Sequence, residues 1–221
     1  MSIAQYVDHT VLKPTTTEAE VRRVCEEALV LGCAAVCLPP YFVRLAKDLL
    51  AETPVKVATV IGFPFGYSNS AAKLAEAHLA LDQGCDELDM VINLIALRNN
   101  DWRTLDKEAR LITGVAHDAG RKIKMIIESG ILTDEEIIRC CQLYTEVGVD
   151  FVKTSTGYAE KGASVHAVAL MRSHLPASIS IKASGGIRTF EFARELLQAG
   201  ADRLGCSATV QIVAEEKQLN G

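Results

Sequence analysis

Eight short β-branched runs, each followed by a loop and a longer amphipathic stretch, recur along the chain, and this alternation constrains the fold more than any other feature. The runs are Tyr6–His9, Ala34–Leu38, Val55–Ile61, Glu87–Ile92, Lys122–Ile127, Val149–Thr154, Ser178–Ala183 and Asp202–Gly205. Their starts lie roughly 20 to 40 residues apart, the repeat length of a strand–loop–helix unit. The intervening stretches carry helix start signals. "TEAE" from Thr17 and "TDEE" from Thr133 place Glu20 and Glu136 three residues after the hydroxyl, as a capping box requires. Gly32, Gly84, Gly148 and Gly200 stand where helices would end before the next strand.

Eight strands alternating with helices make either a closed (β/α)8 TIM barrel or a doubly wound open sheet. No strand is followed by the G-x-G-x-x-G turn of a dinucleotide-binding sheet. The strands also alternate polar with apolar residues: in "SISIKAS", Ile179, Ile181 and Ala183 fall on one side, Ser180 and Lys182 on the other. Closure allows a polar interior, whereas a doubly wound sheet buries both faces in apolar contacts. The expected fold is an α/β single-domain TIM barrel. With no low-complexity segment or Pro/Ser-rich linker, residues 1–221 read as one domain, a length that suits such a barrel.

Composition narrows the partners. The net charge of −5 gives no reason to expect nucleic acid or an anionic membrane. No apolar run approaches the roughly 18 residues of a membrane span, and "MSIAQYVDHT" does not read as a secretory leader. The seven cysteines include no C-x-x-C pair, and the five histidines are scattered, so no metal or other cofactor is expected. His78 and His117 fall within helix patterns and read as surface or helix-packing residues. A cytoplasmic protein is expected.

In such barrels the chemistry collects at the C-terminal strand ends. Reading them in order gives Asp8, Cys37, Asp89, Glu128, Lys153 and Lys182. "DFVKTSTG" leads into Lys153 with Phe151 and Val152, and "ISIKASGG" sets Lys182 at the matching place on the next strand. A lone lysine at a strand end is commonly a snorkelling surface residue. Two on consecutive strands, about 4.8 Å apart and facing the Asp89 carboxylate, ask for another explanation. Mutual repulsion and burial both disfavour the ammonium form. An amine lowered by about three units from its ordinary value would be largely neutral near pH 7.4, and a neutral amine condenses with aldehydes to a Schiff base. Lys153 therefore reads as the nucleophile and Lys182 as the group that tunes it. Asp89 reads equally as a structural ion-pair partner, and Cys37 as packing.

A second signal is phosphate. Gly157 follows the sixth strand, "SGGIR" (184–188) the seventh and "GCSAT" (205–209) the eighth. Glycine-rich loops after the last barrel strands present backbone N–H groups to phosphate dianions. Gly185, Gly186 and Gly205 allow close approach, Ser207 adds a donor and Arg188 adds charge.

At these residues the sequence resembles the deoxyribose-phosphate aldolase family of class I aldolases. The resemblance runs essentially end to end: "DHTVLKP" (8–14), "VIGFPFG" (60–66), "DELDMVIN" (86–93), "FVKTSTG" (151–157), "KASGGIRTFE" (182–191) and "GADRLGCS" (200–207). It implies a lyase that reversibly cleaves 2-deoxy-D-ribose 5-phosphate to acetaldehyde and D-glyceraldehyde 3-phosphate, in sugar-phosphate breakdown, and it allows a homodimer. It further implies that Lys153 forms the Schiff base, Lys182 lowers its pKa and Asp89 transfers protons. By the same resemblance Asp8 and Cys37 line the pocket, Thr156 lies near the reacting hydroxyls, and Gly157, Gly185, Gly186, Gly205 and Ser207 form the phosphate loops.

The chain departs from the family pattern at Leu38-Pro39 on the pocket wall, and at Cys206 and Ala208, where hydroxyls are common. Lys161 could replace charge near the phosphate, and the tail "AEEKQLNG" has no tyrosine to shuttle a proton. Two other readings stay open. A phosphosugar isomerase or synthase without a covalent intermediate would leave the lysine pair unused. A non-catalytic barrel that only binds a phosphometabolite or protein would not need Lys153, Lys182 and Asp89 together.

Overall fold

The structure is a computed structural model that describes residues 2–220. Its eight strands are β1 (Val7–Thr10), β2 (Ala35–Leu38), β3 (Lys56–Ile61), β4 (Glu87–Val91), β5 (Lys122–Ile126), β6 (Phe151–Lys153), β7 (Ser180–Ser184) and β8 (Arg203–Cys206). Each pairs in parallel with the next and β8 pairs with β1, closing a barrel in chain order. The helices between them are α1 (Glu18–Leu31), α2 (Val43–Leu49), α3 (Ser70–Asp82), α4 (Leu94–Arg98), α5 (Trp102–Asp118), α6 (Asp134–Val147), α7 (Val165–His174) and α8 (Phe190–Gln198), and α9 (Thr209–Asn220) follows β8.

Alternation along the strands decides what the barrel encloses. Val36, Val57, Leu88, Met125, Val152, Ile181 and Leu204 point outward into one continuous apolar layer shared with the helices. Their neighbours point inward and divide the interior in two. On the β2–β3 side the inner lining is apolar: Cys37, Ala58 and Val60 form a small cluster with Leu12 and Phe63 against it. On the remaining sides it is charged, with Asp8, Glu87, Asp89, Lys124, Lys153 and Lys182 all buried. Charges can be carried there because the buried side chains pair with one another.

Every expected strand is present, with ends moved by a residue or two, and the physical reasons are local. The sixth starts at Phe151 instead of Val149, because the Val149 N–H donates to the Tyr144 carbonyl and closes α6. The seventh begins late because Ile179 N–H turns back to the Pro176 carbonyl. Both capping boxes form, Thr17 with Glu20 and Thr133 with Glu136. Gly32 and Gly148 end their helices in the left-handed region, at φ 71° and 80°. Gly84 and Gly200 sit one residue further on, after caps at Gln83 and Ala199. Among the described residues, no helix is long and apolar enough to cross a membrane.

Candidate active site

Lys153 and Lys182 are direct register partners on β6 and β7, so their inward side chains stand at one height. Both reach the same carboxylate oxygen. Asp89 Oδ2 accepts from Lys153 Nζ at 2.8 Å and from Lys182 Nζ at 2.7 Å. Its other oxygen, Oδ1, accepts from Lys124 Nζ at 2.6 Å. Lys182 also donates to Asp8 Oδ2, and the second Asp8 oxygen accepts from Arg203 at 2.6 Å. Glu87 completes the network, paired with Lys124 and with Arg203 at 3.4 Å.

The network therefore joins four basic groups to three carboxylates, almost wholly out of water. A surplus positive charge in that setting is costly, and releasing one proton removes it. Position decides which amine gives it up. Burial, and then repulsion from Lys182, lower the Lys153 pKa, and its shared oxygen of Asp89 is too little to restore it. Burial also pulls on Lys182, but Asp8 and Asp89 outweigh it and hold that ammonium well above the ordinary lysine range. Lys124 is raised as well, since Asp89 and Glu87 overcome its burial. The carboxylates respond in kind. Burial would raise Asp8, yet Lys182, Lys124 and Arg203 bring it down to about 2, and the three lysines hold Asp89 well below its usual value.

The arrangement can thus supply a neutral amine, and it places that amine under an opening. A cleft of about 660 Å³ at the C-terminal mouth has Lys153 on its floor. Thr156 and Gly157 form one wall, Gly185, Gly186 and Arg188 a second, and Gly205 and Ser207 a third. A side chain at Gly185 would be strained in both backbone and packing. The glycine lies at φ 89°, and a Cβ there would come within 3.0 Å of the Gly162 backbone.

Asp8 and Cys37, expected to line the pocket, are instead sealed beneath it, and Lys182 and Asp89 are equally hidden. The reason is their depth: Lys153, and not these residues, forms the floor of the open cleft. Cys37 Sγ rests 4.0 Å from Asp89 Oδ2, and burial pushes its thiol up, which keeps it neutral. Lys161, expected to add charge, is exposed and stands outside the cleft; Lys13 and Arg23 border it together with Arg188.

Sequence reasoning passed over Lys124, Glu87 and Arg203. Strand parity contained the signal: "KIKMI", "ELDMV" and "DRLGC" place all three on the inward side. Glu128 was read only as a strand end. It adopts a left-handed conformation at φ 56° and takes up both the Thr156 N–H, at 3.2 Å, and the Thr156 hydroxyl. Burial raises its carboxyl despite those bonds. The loop carrying Thr156 is therefore pinned from below, next to Lys153.

Comparison with known proteins decides the family. A model of the DeoC/LacD family aldolases matches residues 2–209. The chain belongs to this aldolase family. It is an aldolase, hence a lyase. A relative called deoxyribose-phosphate aldolase in Thermococcus gammatolerans is 48% identical over 215 residues, 96% of each chain. Among solved structures, one described as a putative deoxyribose-phosphate aldolase from Coccidioides immitis superposes with a TM-score of 0.93. It is 40% identical over 97% of this chain and 85% of its own. A tetrameric deoxyribose phosphate aldolase from Aeropyrum pernix follows at TM-score 0.91 and 33% identity, covering 98% and 92%.

Proposed function

We propose that the chain is a class I aldolase that reversibly cleaves 2-deoxy-D-ribose 5-phosphate to acetaldehyde and D-glyceraldehyde 3-phosphate, with Lys153 as the Schiff-base lysine. The observation that carries this is the pair of register-matched lysines with opposite shifts. Lys153, on the cleft floor, is lowered, and Lys182, beneath it, is raised. The relatives' shared name supplies the substrate.

In this reading the Lys153 amine adds to C1 of the open-chain sugar and loses water to give an iminium. The C3 hydroxyl proton leaves, the C2–C3 bond breaks, and its electron pair is drawn into the iminium to make an enamine. D-Glyceraldehyde 3-phosphate departs, the enamine is protonated at C2, and hydrolysis releases acetaldehyde and restores Lys153. Asp89 accepts the hydroxyl proton through water. Three nitrogens favour its anionic form, so it holds the proton only in passing, within the carboxylate–ammonium network. Transfer of this kind is worth about 10²- to 10⁴-fold. Thr156 faces the reacting hydroxyls, while Asp8 and Cys37 act from below, Asp8 by fixing the charge on Lys182. Gly157, Gly185, Gly186, Gly205, Ser207 and Arg188 receive the phosphate, whose distance from the breaking bond lets its binding serve positioning.

Residues 1–221 act as one catalytic domain in this account. Homodimerisation and a cytoplasmic location fit it, the latter with seven cysteines that are all free and buried. Light scattering on the purified protein tests the first. Acetaldehyde with borohydride tests the chemistry: intact mass should show one reduced two-carbon adduct, absent in Lys153→Arg. An undiminished adduct in that variant would falsify the assignment.

A further inference from the structure

A second cavity, of about 710 Å³, opens on the same face of the barrel, over its apolar half. Its inward limit is Val60, which belongs to the cluster with Cys37 and Ala58. Val60 is the register partner of Asp89, and Asp89 is bonded to Lys153. The two cavities therefore flank one reacting centre from opposite sides, and their chemistry differs. The first is walled by glycine loops and bordered by Arg188. The second is walled by Pro40, Phe42, Phe63, Pro64 and Phe65, with Lys13 on the rim common to both. Its one carboxylate, Glu76, is occupied by the Gly62 N–H at 2.6 Å.

Tyr158 stands between them and borders both. It is tied to three elements. Its N–H donates to Thr156 Oγ1 at 3.0 Å, its hydroxyl donates to the Leu12 carbonyl at 2.7 Å, and its ring meets Phe63 edge-on at 5.4 Å. Leu12, like Tyr158, borders both spaces, so the bond between them closes a ridge across the barrel mouth.

We propose that Tyr158 is a specificity-determining partition. It confines the acceptor aldehyde to the polar cleft, and the apolar cavity behind it is a subsite for the chain of an unphosphorylated alkyl aldehyde once the ridge is opened. The cavity has no glycine loop to replace the hydration of a phosphate, and its proline and phenylalanine walls gain from burying methylenes. The inference rests on the aldolase reading above, because the chain must reach an enamine held on Lys153.

The test measures addition of acetaldehyde to pentanal and to D-glyceraldehyde 3-phosphate. The enamine carbon attacks the acceptor aldehyde, whose oxygen takes a proton, and water then frees the product from Lys153. Tyr158→Ala should raise the ratio of kcat/KM for pentanal over the phosphorylated acceptor by roughly ten-fold or more, the scale at which a few methylenes are discriminated. Tyr158→Phe keeps the ring but loses the Leu12 bond, and should raise the ratio by about two- to three-fold. If the alanine variant is insoluble, Tyr158→Leu carries the same expectation. A ratio that stays the same or falls in the soluble variant overturns the partition. Should the parent protein itself trap no acetaldehyde with borohydride, the aldolase reading fails instead, and the two failures are told apart.

Discussion

Strands β6 and β7 carry the same residue at the same height, both buried, and the two amines behave in opposite ways. Burial cannot be what separates them. The difference is the number of carboxylates each can claim. Lys182 has Asp8, whose other oxygen Arg203 holds, and a share of Asp89, while Lys153 has only the shared oxygen. A nucleophilic lysine in this fold is made by giving its neighbour the better counter-ions. The neighbour then stays charged and repels.

Four changes attack or refine that contrast, in decreasing size of effect. Lys153→Arg keeps a cation at the site but removes the amine, and cleavage of the sugar phosphate should fall by roughly 10⁴-fold or more in a coupled assay of the released triose phosphate. Activity within ten-fold of the parent would dissolve the distinction between the lysines.

Lys182→Met reverses the contrast. Asp8 and Asp89 would then draw on Lys153 and Lys124, so Lys153 should stay protonated to higher pH. The acidic limb of kcat/KM should move upward, with a loss of about 10²-fold at pH 7 that shrinks as the pH is raised. Breaking a buried ion pair should also cost about 3–5 kcal/mol in urea unfolding. A uniform loss with an unmoved limb would mean that Lys182 acts in some way other than through charge.

Acid should weaken the fold through the same network. Asp8 lies at about 2 in the folded chain against an ordinary 3.8. Its contribution is therefore present above pH 4 and is lost as the pH falls through 2. It amounts to about 2 kcal/mol. Asp89, also lowered, works in the same direction. Chemical denaturation at pH 5 and pH 3 should show the drop, smaller in Asp8→Asn, whose starting stability is already reduced.

Thr133→Ala calibrates these effects from outside the site. Its side chain caps α6 by accepting from the Glu136 N–H at 3.2 Å. Loss of the cap should cost about 1 kcal/mol and leave the pH–rate profile in place.

The sequence carried the barrel because its period-two strands, capping boxes and closing glycines all agreed at the level of neighbours in the chain. Lys153, Lys182 and Asp89 could be picked out for the same reason, each lying on the inward parity of its strand. What parity cannot convey is depth and pairing. Asp8 and Cys37 read as pocket walls but lie under the floor; Lys124, passed over in the sequence, meets Asp89 on the adjacent strand, and Arg203 reaches Asp8 only where β8 closes on β1. The role of Tyr158 as a divider was out of reach too, since it depends on loops after β1, β3 and β6 meeting over the mouth.

A titration of the lysine side chains, followed by NMR in protein carrying ¹³C at Cε, bears most directly on the unequal sharing of counter-ions. Two resonances should titrate below the ordinary lysine value, that of Lys73, which burial lowers despite Glu108, and one that is missing from Lys153→Arg; in Lys182→Met the second should move up while that of Lys73 stays in place. A spectrum in which no lysine besides Lys73 titrates below its ordinary value, or in which Lys153→Arg removes no low-titrating resonance, would contradict the account.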